Sequence, residues 1–244
     1  HLTLPTAHRL TRELVAWGAL ERDANGRYSV GLRLLELSAL APRGLELREA
    51  AFPYLDDLHQ ATRGNIHLGV RDGLEVVYVE TLPAPVTAPI ASRVGDRRPM
   101  HATGTGLVLL ANADNDVQEA VLRAPLTRYT RLTVVDPHEL RRRLAQVRRT
   151  GVAIAHGQIT LPDMVVAVPV LSPGGGEVIA SISVVVRSGS ARPRDLARAL
   201  AEASRAISRA LAWPYSPPGR LDQRPPTIPG HGQSLRQRVG STPR

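Results

Sequence analysis

The sequence predicts an α+β protein in which one helix and one hairpin precede a larger domain of mixed strands and helices. Three observations support this prediction. Apolar side chains recur every three or four residues across residues 4–17, as on one face of a helix. An Asn25-Gly26 step between two short alternating runs indicates a tight hairpin. From Asn65 onward, the hydrophobic pattern changes from helical spacing to the alternation of β-strands.

The composition excludes several kinds of function. The 244 residues include no cysteine, which rules out disulfides, thiolate metal sites and cysteine nucleophiles. The chain has neither an apolar run of about 18 residues nor a signal peptide, so we expect a cytoplasmic protein without a membrane segment. All 31 basic residues are Arg and the formal net charge is +9. This excess reflects either a coding bias towards Arg or a surface that binds phosphate groups.

The first predicted helix has clear end signals. Thr3 is a candidate N-cap, Pro5 is tolerated in the first turn, and Gly18 is expected to end the helix. A tight basic hairpin follows at once. This order is typical of the second half of a winged helix-turn-helix, which we assign to residues 1–31.

The outward face of this helix has the side chains that DNA recognition requires. Arg pairs with guanine through two hydrogen bonds, short hydroxyls reach phosphates or base edges, and a helix N-terminus attracts phosphate. An ordinary solvated helix face is the alternative, and the basic hairpin directly after the helix favours DNA binding. The predicted DNA-contacting residues are Thr3, Pro5, Thr6, His8, Arg9, Arg12, Arg22 and Arg27.

The rest of the chain predicts a linker, a mixed domain and a tail. Residues 32–47 are helical with a break at Pro42, and a further helix is predicted over residues 48–62. The mixed domain then has an Asp72-Gly73 hairpin, a helix that begins at Gly104, a helix capped by Asp136 and closed by Gly151, three strand-like runs and a final helix from Pro193. Such mixing predicts a largely antiparallel sheet. Residues 213–244, rich in Pro and Arg, are predicted to be disordered.

Two further motifs are candidates for small-molecule binding. Gly104-Thr105-Gly106 opens a helix, where backbone N–H groups either hold an anion or carboxylate or only pack closely on the sheet. Ser181 and Ser183 point to one face of an apolar strand, as pocket hydroxyls or as a solvent-facing edge. The sequence has no nucleophile–base pair, metal-ligand spacing, dinucleotide motif or P-loop. We therefore predict neither an enzyme nor a cofactor or metal site.

Several segments together resemble the IclR family of bacterial transcriptional regulators. They are LPTAHRLTRELVAWGALERDANGRYSVGLRLLEL, RRPMHATGTGLVLLA, LTRYT followed by DPHELRRRLAQVRRTGVAIA, VAVPV and VIASISV, in the family's order and spacing. The resemblance implies a winged helix, a linker helix at residues 32–47 and a GAF-like effector-binding domain at residues 48–212. It also implies a homodimer or homotetramer that binds a double-stranded DNA operator and responds to a small metabolite. The implied effector-binding residues are Met100, Gly104, Thr105, Ala155, Val165, Ser183 and Val185.

The chain departs from the family pattern at the pocket and at its start. Residues 155–158 and Val185 stand where the family often has acidic residues and a second serine, so the pocket has lost polar groups. We therefore expect an effector that is larger or more apolar than a two- or three-carbon acid.

The helices that normally precede the recognition helix are missing, so we expect an N-terminal truncation. A small-molecule sensor that acts by protein contact without binding DNA is the alternative function, and the effector, the operator and the sign of regulation stay open.

Overall fold

A computed structural model of the protein describes residues 2–38, 42–84, 92–174 and 176–211. The tail that we predict to be disordered, residues 213–244, lies outside these ranges. Within them, the predicted α+β fold is confirmed. A two-stranded sheet belongs to the N-terminal unit, and a six-stranded antiparallel sheet is the centre of the larger domain.

The N-terminal unit has the predicted order of helix, turn and hairpin. Its elements are α1 (Leu4–Trp17), β1 (Leu20–Arg22) and β2 (Tyr28–Val30). Gly18 and Gly26 have φ angles of 83° and 79°, a left-handed conformation that glycine adopts without steric cost. They therefore end the helix and turn the hairpin, as predicted. The hairpin returns close to the helix end, because a Cβ on Gly31 would lie 2.2 Å from the carbonyl oxygen of Gly18.

The next two helices differ from the prediction in their bounds. Helix α2 spans Leu32–Ser38, and α3 spans Pro42–Thr62 rather than beginning at Arg48. Pro42 begins α3 instead of ending the previous helix, because the first residue of a helix needs no N–H donor and proline has the required φ. Pro53 lies inside α3, so the helix continues past a residue that cannot donate the usual backbone hydrogen bond.

The larger domain is built on one antiparallel sheet with the strand order β5-β4-β3-β8-β7-β6. Its strands are β3 (Asn65–Asp72), β4 (Glu75–Leu82), β5 (Arg97–Pro99), β6 (Ala153–His156), β7 (Asp163–Leu171) and β8 (Val178–Arg187). Its remaining helices are α4 (Gly104–Ala111), α5 (Asn115–Arg123), α6 (Pro137–Thr150) and α7 (Pro193–Ala210). The short strand β5 was not predicted.

Helices cover both faces of this sheet. Side chains from α3 and α7 pack with one face in a first core cluster, in which Leu55, Leu68 and Leu200 are fully buried. Side chains from α4 and α6 pack with the opposite face in a second cluster, around Leu110 and Leu140. Alternate residues of each strand therefore face different helices, and the sheet separates two apolar layers.

The predicted ends of α6 are confirmed. The carboxylate of Asp136 accepts hydrogen bonds from the N–H groups of His138 and Glu139, at 3.1 and 3.3 Å. Gly151 ends the helix with a φ of 70°. The negative charge of Asp136 at the positive end of the helix adds a favourable interaction with the helix dipole. These local signals set where α6 begins and ends.

One ion pair between a half-exposed Arg and a buried Glu attaches α3 to the sheet. Nε of Arg48 donates a hydrogen bond of 2.6 Å to Oε2 of Glu80, whose side chain is only 5% exposed. The other carboxylate oxygen, Oε1, accepts a 2.8 Å hydrogen bond from the N–H of Thr81. A buried carboxylate is costly unless it is paired. Arg48 therefore stabilises the charge of Glu80 and connects the helix with strand β4.

Removal of this partner should destabilise the protein measurably. We expect Arg48→Ala to lower the free energy of unfolding by about 1–3 kcal/mol, because Glu80 then keeps a buried charge with one hydrogen bond fewer. Arg198→Ala is the matched control, since Arg198 pairs with Glu202 on an exposed helix surface and such pairs contribute less than about 1 kcal/mol. Urea denaturation of both variants measures the difference. Equal losses in the two variants would contradict the role assigned to Arg48.

Candidate functional site

The polar face of α1 is accessible. Of the predicted DNA-contacting residues on this element, Thr6 is half-buried and Thr3, Pro5, His8, Arg9 and Arg12 are exposed. The Oγ1 atoms of Thr3 and Thr6 share a hydrogen bond of 2.9 Å. Thr3 is the N-cap residue, as predicted, but its hydroxyl bonds to Thr6 rather than to a backbone N–H. Pro5, Arg9 and Arg12 follow at helical spacing and so share one side of the helix.

The hairpin presents its own Arg residues next to α1. The guanidinium of Arg22 lies over the ring of Tyr28, 5.6 Å from its centre. The carboxylate of Asp23 accepts hydrogen bonds from the N–H groups of Asn25 and Arg27, which holds the turn in shape. Arg22 and Arg27 are both exposed. The structure therefore places the eight predicted DNA contacts on one helix and the hairpin that follows it.

The opposite face of α1 is also uncovered within the described residues. The apolar stripe that the sequence predicts along the helix includes Leu4 and Trp17, which are 83% and 49% exposed. No residue of α1 is buried.

The second candidate site lies where α4 meets the sheet. Every residue of α4 is buried, and the hydroxyl of Thr103 caps the helix by accepting a hydrogen bond of 3.1 Å from the N–H of Gly106. A Cβ on Gly104 would lie 2.6 Å from Cγ2 of Val165, so the glycine allows the helix to touch the sheet. The N–H groups of Gly104 and Thr105 make no hydrogen bond with the residues that the structure describes. The first turn of α4 therefore packs closely on the sheet, and its first two N–H groups have no acceptor among the described residues.

Strand register brings most of the implied effector residues together. Val165 pairs with Ala155 on one side and with Val185 on the other, so these three form one row across the sheet. Ser183 lies in the next row and pairs with His67.

Ser181 and Ser183 are both buried, so the solvent-facing alternative for the two serines is wrong. Of this pair, Ser181 donates its hydroxyl to the carbonyl oxygen of Val168 at 3.0 Å.

A cavity of about 490 Å³ opens beside this row, between α6 and strand β6. Ala155 lines it, whereas the other six implied effector residues do not. Gln158 closes one side, because its amide nitrogen donates to the carbonyl oxygen of Leu132 at 2.6 Å and its amide oxygen accepts from the N–H of Val134 at 3.0 Å. Met100 contacts the helix rather than this cavity, since a Cβ on Gly106 would lie 2.5 Å from its Cα.

Two aromatic residues that the sequence reasoning missed belong to the α4 face. The rings of His67 and Tyr78 are stacked, with centres 4.6 Å apart and planes 16° from parallel. Burial, together with a smaller effect of the positive charge of Arg98, lowers the pKa of His67 to about 4. Burial raises the pKa of Tyr78, which the nearby Thr105 hydroxyl and Arg98 oppose only in part. Both side chains are therefore neutral at physiological pH.

The shifted pKa of His67 predicts a pH-dependent stability. Unfolded His67 binds a proton with the ordinary pKa of 6.5, and folded His67 only near 4, so protonation favours the unfolded state between these values. The contribution of neutral, buried His67 to the free energy of unfolding is fully present above pH 6.5 and is lost as the pH falls towards 4. The free energy of unfolding should be lower at pH 4.5 than at pH 7, and we expect His67→Phe to reduce this difference by about 2–3 kcal/mol. The exposed His138 supplies the control, His138→Gln, which should leave that difference unchanged in urea denaturation.

Solved structures of bacterial transcriptional regulators share this arrangement of a helix-and-hairpin unit followed by an antiparallel sheet with helices on both faces. Residues 40–212 match the family model described as the bacterial transcriptional regulator IclR C-terminal domain. The chain belongs to the IclR family. No helix in the described ranges is long and apolar enough to cross a membrane.

Individual relatives agree with this assignment. The HTH-type transcriptional regulator XynR of Escherichia coli is 32% identical over 87% of this chain and 86% of its own length. A crystal structure of an IclR homolog from Microbacterium hydrocarbonoxydans, complexed with 4-hydroxybenzoate, is 37% identical and has a TM-score of 0.81 over 86% of this chain and 87% of its own. The IclR structure from Thermotoga maritima is 25% identical with a TM-score of 0.71, and covers 87% of both chains. The relatives are transcriptional regulators rather than enzymes.

Proposed function

We propose that this protein is a cytoplasmic transcriptional regulator that binds operator DNA through α1 and its hairpin and is controlled by a metabolite bound beside α4. The observation that carries the proposal is the accessible polar face of α1, with Arg9 and Arg12, followed directly by the Arg22 and Arg27 hairpin. A recognition helix in the major groove and a basic hairpin on the DNA backbone would use these groups as the family does.

Arg9 provides the sharpest test of DNA recognition. If it reads a base, Arg9→Ala should weaken operator binding by about 1–3 kcal/mol and relax specificity at one position. Arg142→Ala is the matched control, because Arg142 is exposed on α6 in the larger domain. A gel-shift assay with the protein's own upstream region measures both variants. Unaltered affinity in Arg9→Ala would identify Arg9 as an ordinary surface residue.

For the metabolite we propose a monocarboxylate that is larger or more apolar than a two- or three-carbon acid. The free N–H groups of Gly104 and Thr105 suit a carboxylate, because they lie at the positive end of a buried helix. Ala155, Val165 and Val185 give the neighbouring row an apolar surface. The homolog complexed with 4-hydroxybenzoate supports an aromatic acid of this size.

Calorimetric titration tests the proposed effector class. We expect 4-hydroxybenzoate or benzoate to bind at least about tenfold more tightly than pyruvate or glyoxylate, because apolar burial adds favourable free energy at a site with few polar groups. Tighter binding of the two- or three-carbon acids would overturn the assignment of a larger, more apolar effector.

The proposed mechanism connects this site to DNA through the chain between the two parts. We assign residues 1–31 to the DNA-binding unit, 32–47 to a linker and 48–212 to the effector-binding domain. In a homodimer or homotetramer, the linkers would set the distance between two recognition helices. Two half-sites are bound together only when that distance matches their spacing, so a metabolite that changes it changes DNA affinity.

A second candidate function is a metabolite sensor that acts by contact with another protein, for which the exposed helix α1 and its hairpin would be the docking surface. Salt dependence separates the two functions. Binding to DNA falls steeply with salt concentration because neutralised phosphates release counterions, whereas apolar protein contact does not.

A further inference from the structure

The cavity between α6 and β6, the α6–β6 groove, lies along an open edge of the sheet. Strand β6 is the last strand of the sheet and pairs only with β7, so its other edge is free within the described residues. The groove has a volume of about 490 Å³, and its apolar lining includes the buried residues Leu107, Val147 and Ala155. Open strand edges with neighbouring pockets are places where protein domains bind an extended peptide as an added strand.

The backbone of β6 offers free hydrogen-bonding groups at this edge. The N–H of Gly157, directly after the strand, donates to the carbonyl oxygen of Asp163 at 2.8 Å. Because bonded and non-bonded pairs alternate along antiparallel strands, the backbone groups of Ile154 and His156 point away from β7. The carbonyl oxygen of His156 accepts a 3.1 Å hydrogen bond from the amide of Gln158. Both N–H groups and the carbonyl of Ile154 have no such partner among the described residues, and so are available to an added strand.

The side chains of β6 do not protect this edge. Arg or Lys side chains, prolines and bulges keep exposed edges from pairing, and Ala153–His156 has none of them. Instead, the apolar side chain of Ile154 is 46% exposed. The strand has four residues and a rise of about 3.3 Å per residue, so it has room for a segment about 13 Å long. The edge therefore suits a short extended segment.

The outer wall of the groove is positively charged. Helix α6 contains five Arg residues and one carboxylate, that of Glu139, which is paired with Arg143 at 3.0 Å. Arg142 and Arg149 are exposed and form no ion pair with a residue that the structure describes. They flank Gln146, which lines the groove, at helical spacing. Seven residues separate them, which is about 10 Å along the helix axis, so they lie towards opposite ends of the groove.

This charge favours an acidic partner over a second copy of the chain. Antiparallel pairing of two β6 edges would bring the two α6 helices together across the seam, with Arg142 and Arg149 of each facing those of the other. Like charges that meet in this way oppose association. An acidic segment instead gains from the same two Arg residues.

We propose that the α6–β6 groove binds an acidic peptide segment of a partner protein, which joins the sheet as an extended strand beside β6. The free backbone groups of Ile154 and His156 pair with the segment. An apolar side chain enters the groove between two acidic side chains, which meet Arg142 and Arg149. Side chains four residues apart lie on the same face of a strand and are separated by about 13 Å, a distance that the long Arg side chains match. The proposal does not depend on the metabolite site.

Two peptides of identical composition test the recognition pattern on the full chain without a metabolite. The first is fluorescein-labelled Glu-Thr-Val-Thr-Glu with blocked ends, which places both glutamates on the face of the valine. The second, Thr-Glu-Val-Glu-Thr, has the same charge but places its glutamates on the opposite face. We expect the first peptide to bind at least about tenfold more tightly in fluorescence anisotropy, because only its side chains match the groove and the Arg residues together.

Two pairs of variants test the residues. Ile154→Pro removes an N–H that the sheet itself does not use, and Ile154→Val is its matched control because it keeps that N–H. Arg142→Glu reverses one charge beside the groove, and Arg194→Glu makes the same charge change on α7, which packs on the other face of the sheet. We expect Ile154→Pro to weaken binding of the first peptide at least about tenfold and Arg142→Glu severalfold. Both controls should stay within about twofold of the unmodified protein.

Several results would overturn the proposal. Equal binding of the two peptides would show that charge alone attracts them, and no binding of either would exclude an acidic strand. Unchanged affinity in Ile154→Pro, or equal losses in Arg142→Glu and Arg194→Glu, would remove the assignment to this groove. If Ile154→Pro lowers the oligomeric state in sedimentation velocity, a second copy occupies the edge and the peptide assignment is wrong. Melting temperatures show whether Ile154→Pro is folded; if it is not, the two peptides and the Arg142 and Arg194 variants decide the outcome.

Discussion

The close packing of α4 against the sheet is the constraint on which the larger domain depends. The helix reaches the strands because Gly104 has no side chain, since an added Cβ would lie 2.6 Å from Cγ2 of Val165 on β7. Gly106 lets the segment before α4 pass close to the helix, since an added Cβ would lie 2.5 Å from Cα of Met100. The same approach removes water from the first turn of the helix. Electrostatic interactions with a helix N-terminus are stronger in such a dry environment. The glycines therefore account for the close packing, and the N–H groups of Gly104 and Thr105 in the same turn have no acceptor among the described residues.

Local signals predicted most of the element order because they depend on neighbouring residues alone. Gly18, Gly26 and Asp136 each take the role that the sequence assigned to them, since turn conformations and helix caps are set within a few residues. Pro42 was interpreted as a break, although proline also suits the first position of a helix. The sequence did not predict strand β5, because three residues are too few to show the alternation that indicates a strand. Its pairing with β4 is also a long-range contact.

The candidate site could be predicted only in part, for a similar reason. Family resemblance indicated Ala155, Val165 and Val185, and the register of β6, β7 and β8 places them in one row. His67 lies in an alternating run that predicts a strand, but alternation does not reveal which face meets α4 or that β3 pairs with β8. Its stacking on Tyr78 also depends on a bulge near Gly69, which the sequence does not specify. The DNA-binding assignments to α1 remain predictions based on spacing and accessibility.

The sheet offers a physical route from the metabolite to the chain that leads to the DNA-binding unit. On strand β3, His67 faces α4, whereas its neighbours Ile66 and Leu68 pack in the cluster with α3. Close-packed interiors transmit strain, so a displacement of His67 would also reach the side chains on the other face of the sheet. The ion pair between Arg48 and Glu80 adds a polar connection between α3 and the neighbouring strand β4. In the proposed mechanism, α3 would therefore respond to a metabolite on the other face of the sheet without touching it, and would pass the change to the preceding residues of the linker.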